Sequence, residues 1–195
     1  MKRLGSLIAV MAGLLVTAAV ANAERIEADL TGYEEVPSVS TLASGEFLAR
    51  ISLDEQSIEY VLRYRGLQGV VTQGHIHIAQ LSVNGSIVIW LCQTDTNKDP
   101  TNLSGQCPAG KETEAVVTGK ITLANVIAGS MAPQQLTAND LAEVIRAIRA
   151  GAAYANVHTD LSPGGEIRGQ IDDRDNRDKK DKDGKDDKGD KGQHH

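Results

Sequence analysis

The segment Gly74-His75-Ile76-His77-Ile78 places two imidazoles one residue apart. In a β-strand, side chains alternate between faces, so His75 and His77 would point the same way and Ile76 and Ile78 the other. The isoleucines belong to a core, which puts both rings on the outer face of a sheet or in a pocket under covering loops. Paired imidazoles of this kind can hold a metal, hydrogen-bond as a structural pair, or sit solvated at an edge. A third histidine, His158, lies in "AAYANVHT", where Tyr154, Asn156 and His158 share one face of a second apparent strand. If the two strands are neighbours, three imidazoles meet on one surface. Neutral imidazole is the commonest metal-ligating side chain, and three of them with an open fourth position suit zinc or copper.

Other polar residues sit where they could support such a site. Asn156 could orient a histidine. Glu166 and Arg168, two apart in "PGGEIRGQ", share a strand face. Glu166 could orient a ligand histidine, Arg168 could contact an anion, or the two could form an ion pair near a strand end. Glu34 and Glu35 are adjacent, and adjacent strand residues point oppositely, so solvated edge charges are expected rather than a catalytic carboxylate pair. Neither a G-x-S-x-G elbow nor a glycine-rich phosphate loop is present, and nothing specifies an organic cofactor. The sequence therefore gives no positive sign of an enzyme.

The elements around these residues read as an all-β domain. "RIEADLTGY", "SGEFLARISLD", "SIEYVLRYRGL", "TQGHIHIAQ", "IVIWLC" and "TEAVVTGKITLANV" alternate in hydrophobicity and are separated by turn residues. Residues 137–150 change period: Leu141, Val144, Ile145 and Ile148 follow helical spacing, with Thr137 as the expected N-cap and Gly151 as the stop. Two further strands follow, through Ile171. Aromatic residues make up only 3% of the chain, so aliphatic side chains must fill the core. Cys92 and Cys107 flank a polar, turn-rich loop, and in an exported chain an even cysteine count favours a disulfide over a thiolate metal site.

The ends differ from this middle. Residues 1–23 have a basic start, a short apolar run and an Ala21-Asn22-Ala23 cleavage pattern, the form of a secretory signal peptide. The mature chain should then begin at Glu24 and be secreted or periplasmic, without membrane insertion. Residues 172–195 hold nine Asp against eight Lys plus Arg and almost nothing apolar, which predicts a disordered charged tail. That tail echoes calcium-loop spacing only faintly, and His194 and His195 end it. Loss of Lys2 and Arg3 takes the formal net charge from −6 to −8. With no basic stripe, nucleic acid is not an expected partner.

Three segments carry a family resemblance: "LTGYEEVP" (30–37), "GHIHIAQLSVNGSIVIWL" (74–91) and "IRAGAAYANVHTDLSPGGEIRGQI" (148–171). Together they resemble the CHRD domain, the module named after chordin and found in many exported bacterial proteins. The resemblance implies a Greek-key, immunoglobulin-like β-sandwich related to copper–zinc superoxide dismutase, here with one crossover helix. It implies little about activity. The globular part has no further histidine to bridge to a second metal, so dismutase chemistry is not expected. The two functional expectations are a binding module that holds copper or zinc through His75, His77 and His158, and a structural or adhesive envelope module whose histidines only pack.

Overall fold

The computed structural model describes residues 23–173, Glu112 excepted. The leader expected over 1–23 lies, apart from its last residue, outside these residues, as does the tail beyond Asp173. The domain is built on one extended sheet. Its strands are β1 (Glu24–Thr31), β2 (Ser44–Ile51), β3 (Ile58–Arg65), β4 (Val71–Ile78), β5 (Ser86–Gln93), β6 (Gly105–Gln106), β7 (Ala115–Ile121), β8 (Ala153–Thr159), β9 (Ile167–Gln170) and β10 (Asp172–Asp173). The sheet runs β6-β5-β4-β8-β9-β1-β2-β3-β7, with β10 pairing on β1, and only the β5–β6 pair is parallel. The all-β expectation holds. The sheet is nearly closed, for an antiparallel bridge joins Ile89 to Val126 just beyond β7, and the Tyr60 hydroxyl donates to the Leu91 carbonyl at 2.6 Å.

Alternation explains the enclosed core. Ile58, Tyr60, Leu62 and Tyr64 of β3 are all buried, as are Ile26, Ala28 and Leu30 of β1 and Phe47, Ala49 and Ile51 of β2. Ile76, Ile89, Leu91, Val157 and Ile167 meet them from the other strands. Aliphatic residues dominate, and Phe47 stacks on Tyr60 within this core. Cys92 and Cys107 form the expected disulfide, which ties the 93–106 loop to β5.

The single helix, α1 (Leu141–Arg149), packs Leu141, Val144, Ile145 and Ile148 inward against β8 and β10. It starts later than Thr137. Asp140 is the N-cap, its carboxylate accepting from the Glu143 amide at 2.9 Å. Asn139 takes a left-handed conformation that turns the chain just before it, so the helix cannot reach back to Thr137. Gly151, with φ 66°, ends it as expected. Among the described residues, no helix is long and apolar enough to cross a membrane.

Candidate metal site

Strands β4 and β8 are antiparallel neighbours, with His75 opposite Asn156, His77 opposite Tyr154 and Gln73 opposite His158. That register brings the three histidines together. One ligand nitrogen from each of His75, His77 and His158 lies within 4.8 Å of the others. All three are buried, at 0%, 7% and 5% exposure. Of the two placements open to the rings, a pocket under covering loops is the one adopted, with the isoleucines on the barrel side.

Backbone carbonyls set two of the rings. His77 Nδ1 donates to the Gly85 carbonyl at 3.0 Å, and His158 Nδ1 donates to the Pro163 carbonyl at 2.9 Å. A carbonyl only accepts, so both rings carry their proton on Nδ1 and present an unprotonated Nε2. His75 Nδ1 lies 3.2 Å from His158 Nε2 and donates to it. Two nitrogens, His75 Nε2 and His77 Nε2, are buried with no hydrogen-bond partner. An unsatisfied buried polar group costs about 1–3 kcal/mol, and such groups are rare unless a ligand completes them.

Burial also holds the rings neutral. Desolvation is the first cause in each case: it pushes His75 well below the usual histidine range, His77 down to about 3, and lowers His158. A metal would therefore meet three neutral imidazoles, and at His158 Nε2 it would replace the hydrogen bond from His75. For two nitrogens bound tetrahedrally at 2.0–2.1 Å, geometry requires a separation of about 3.3–3.4 Å. One nitrogen from each ring lies within 4.8 Å of the others, so small adjustments would bring the three to that spacing.

Aromatic rings wall the pocket. Trp90 meets His75 edge-on, ring centroids 4.3 Å apart, and Tyr154 stacks flat on His77 at 4.7 Å. The Arg168 guanidinium lies 3.4 Å over the other side of the Tyr154 ring. Trp90 reaches this side because the β4–β5 ladder slips twice: Gly74 pairs with Cys92 but His75 with Trp90, and Ile76 pairs with Ile89 but His77 with Ile87. In a regular strand Cys92 and Trp90 would share a face. The extra residue, Leu91, lets Cys92 face the interior and Trp90 the histidines. Gly85 matters at the turn, where a Cβ would collide with the Ile78 carbonyl. Only glycine lets the carbonyl that orients His77 come so close.

The supporting residues expected from the sequence are placed differently from one another. Asn156 does lie beside the histidines, but its Nδ2 donates at 2.6 Å to Glu35, and its Oδ1 is a further buried atom without a partner. Glu166 and Arg168 are not ion-paired to each other. The Glu166 carboxylate collects four donors: the Thr41 hydroxyl, the Gln68 and Gly69 amides and the Thr159 hydroxyl. It braces the loops above the site and touches no histidine ring. Arg168 is directed onto Tyr154 and donates to the Val83 carbonyl at 3.0 Å, fastening the β4–β5 turn.

Glu35 corrects the expectation of a solvated edge charge. It is 5% exposed, and Gly165 (φ 127°) makes room for it, because a Cβ there would strike both its carboxylate and the Asn156 amide. Burial raises its pKa to about 7, against a smaller opposing pull from Arg168. A carboxyl whose folded pKa lies above its unfolded value adds stability below the unfolded pKa and loses it as pH rises through 7. Glu35→Gln keeps an oxygen for Asn156 and has no proton to lose. It is expected to raise the unfolding free energy at pH 8 by about 2–3 kcal/mol and to change it little at pH 4.5. Urea unfolding at the two pH values checks this; an equal effect at both would show that Glu35 is ionised in the fold throughout.

Trp90 and Glu35 are the parts of the site that residue spacing did not expose; spacing put Tyr154 on the His158 face without giving it a role. The one legible signal was that the chain's single tryptophan falls in a strand next to the H-x-H strand. No curated protein and no solved structure matches the chain. The family model for the CHRD domain does, over residues 26–171, a span that contains all three histidines and the strands that carry them. The chain therefore belongs to the CHRD-domain family.

Proposed function

We propose that this protein is an exported binding module that holds one copper or zinc ion through His75, His77 and His158. The observation that carries the reading is the pair of buried, unpartnered nitrogens, His75 Nε2 and His77 Nε2, in a cluster with a third imidazole whose ligand atom lies within 4.8 Å of theirs. A purely structural trio would be expected to satisfy these atoms. The ion would supply a buried positive charge and a Lewis-acid centre, and because all three ligands are neutral it would keep its full charge. The chain's part is to hold the rings by the Gly85 and Pro163 carbonyls and to exclude water with Trp90 and Tyr154. Export rests on the leader pattern of residues 1–23. The nearly closed antiparallel sheet, with an H-x-H strand beside a late histidine strand, supports kinship to the superoxide dismutase sandwich. The deep burial favours holding a metal over turning over a substrate.

The single tryptophan gives a direct test. Trp90 lies 4.3 Å from His75, so its fluorescence should fall steeply on binding one equivalent of Cu²⁺, and a large excess of Zn²⁺ should shift that titration to higher copper. The protein should carry His194→Ala and His195→Ala, so that the terminal imidazoles cannot contribute. Quenching that needs a large excess of copper, or that zinc does not compete with, would favour the alternative of a structural or adhesive module.

A further inference from the structure

The half of the sheet away from the histidines carries a second concave surface. A groove of about 680 Å³ runs over the outer face of β1, β2, β3 and β7. That volume is in the usual range for small-molecule sites. Strand register gives its layout. One row across the sheet reads Arg25, Arg50, Glu59, Lys120. The next row reads Glu27, Leu48, Val61, Thr118. Leu48 and Val61 are half-buried and form an apolar floor, and Arg63 lies beyond them, bridged to Glu46 at 3.7 Å.

The Arg25–Arg50 pair is the unusual feature. Like charges directly opposite in an antiparallel pair repel and destabilise the ladder. Both side chains are exposed, and among the described residues neither has a carboxylate within the 4.0 Å of an ion pair. Glu24 and Glu55 are engaged by Arg149, at 2.6 and 2.7 Å, and Glu59, opposite Arg50 in the register, does not reach it as an ion pair. Glu59 stands between Arg50 and Lys120 in the row, so the two cations that stand side by side are Arg25 and Arg50, next to the Leu48–Val61 floor. Two guanidiniums present several donors in a planar arrangement suited to a carboxylate or sulfonate.

We propose that this groove binds a small amphipathic organic anion, its acid group held between Arg25 and Arg50 and its apolar body laid over Leu48 and Val61. The site is separate from the histidines and does not depend on them. Naphthalene-2-sulfonate added to the ¹⁵N-labelled full-length protein, followed by amide chemical shifts, tests it. Saturable shifts confined to β1, β2, β3 and β7 are expected. Arg50→Gln should weaken binding about fivefold or more, Leu48→Glu should abolish it, and the neutral analogue 2-naphthalenemethanol should bind about as weakly as the sulfonate binds the Arg50→Gln protein. Both substitutions are on the exposed face, and an otherwise unchanged spectrum confirms the fold. Shifts that never saturate, that scatter over the surface, or that are the same in wild type and Arg50→Gln would overturn the proposal.

Discussion

Replacing His77 with phenylalanine is expected to lower zinc or copper affinity by at least about 100-fold and to leave the domain folded. Loss of a residue that merely orients a ligand typically costs 10–100-fold, so loss of a ligand should exceed that range. Phenylalanine is the informative choice because His77 also packs, its ring stacked on Tyr154. Alanine would remove both ligand and stack and open a cavity. Phenylalanine keeps the ring volume and the stack, and it removes the unpartnered Nε2 together with the bond to Gly85. Calorimetric titration of the two proteins, with far-ultraviolet circular dichroism to verify the fold, gives the comparison. Equal affinity in wild type and His77→Phe would show that metal binds elsewhere.

The largest stability effect is expected at Glu166. Its carboxylate is fully buried and joins three separate stretches of chain: Thr41, the Gln68–Gly69 turn and Thr159. Glu166→Ala leaves the Gly69 amide and two hydroxyls buried without their acceptor, and the part-buried Gln68 amide as well. Each unsatisfied group costs about 1–3 kcal/mol, and water entering the gap recovers part of that, so a net loss of about 3–5 kcal/mol follows. For a domain of this size that is a fall of roughly 10 °C or more in Tm. Thr159 and Pro163 belong to the turn that holds His158, so metal affinity should fall as well. A Tm change of only a degree or two in calorimetry would mean the four donors find other acceptors.

Much of this architecture was legible beforehand, for identifiable reasons. The strands containing Ile58–Tyr64 and Phe47–Ile51 could be read because one face is buried and the other is not. The H-x-H pair and His158 could be read as a candidate trio because period two fixes which side chains share a face. What was not legible depends on departures from that period or on contacts between distant segments. Trp90 faces the histidines only because the β4–β5 ladder bulges, and a bulge leaves no mark in hydrophobic spacing. Glu35 caps the end of a short 3₁₀ turn (Gly32–Glu34) and lies in no strand, so the alternation argument that sent it to solvent did not apply. Glu166 and Arg168 are two apart and opposite in charge, yet donors from residues 41, 68 and 69 and the Tyr154 ring compete for them more effectively than they do for each other. The helix start moved from Thr137 to Asp140 because the left-handed Asn139 breaks the helical path between them.

The neutrality of the three imidazoles has a consequence for pH. Their folded pKa values lie below the unfolded value near 6.5, so the unfolded chain takes up more protons as pH falls. Their contribution to stability is complete above pH 6.5 and declines below it, by up to about 1.4 kcal/mol per histidine for each pH unit. Glu35 works in the opposite direction between 4.5 and 7 and offsets the contribution of one histidine. Metal binding should resist acid for the same reason, persisting at pH 5.5, where exposed histidine clusters are mostly protonated.

The most direct test of the metal assignment is an X-ray absorption spectrum of the zinc-loaded protein carrying His194→Ala and His195→Ala. Three imidazole nitrogens at about 2.0–2.1 Å, with the outer-shell scattering that imidazole rings give, are the expected result. A shell made of oxygen, or one with fewer than two imidazoles, would contradict it and leave the strand from Gly74 to Ile78 as packing alone.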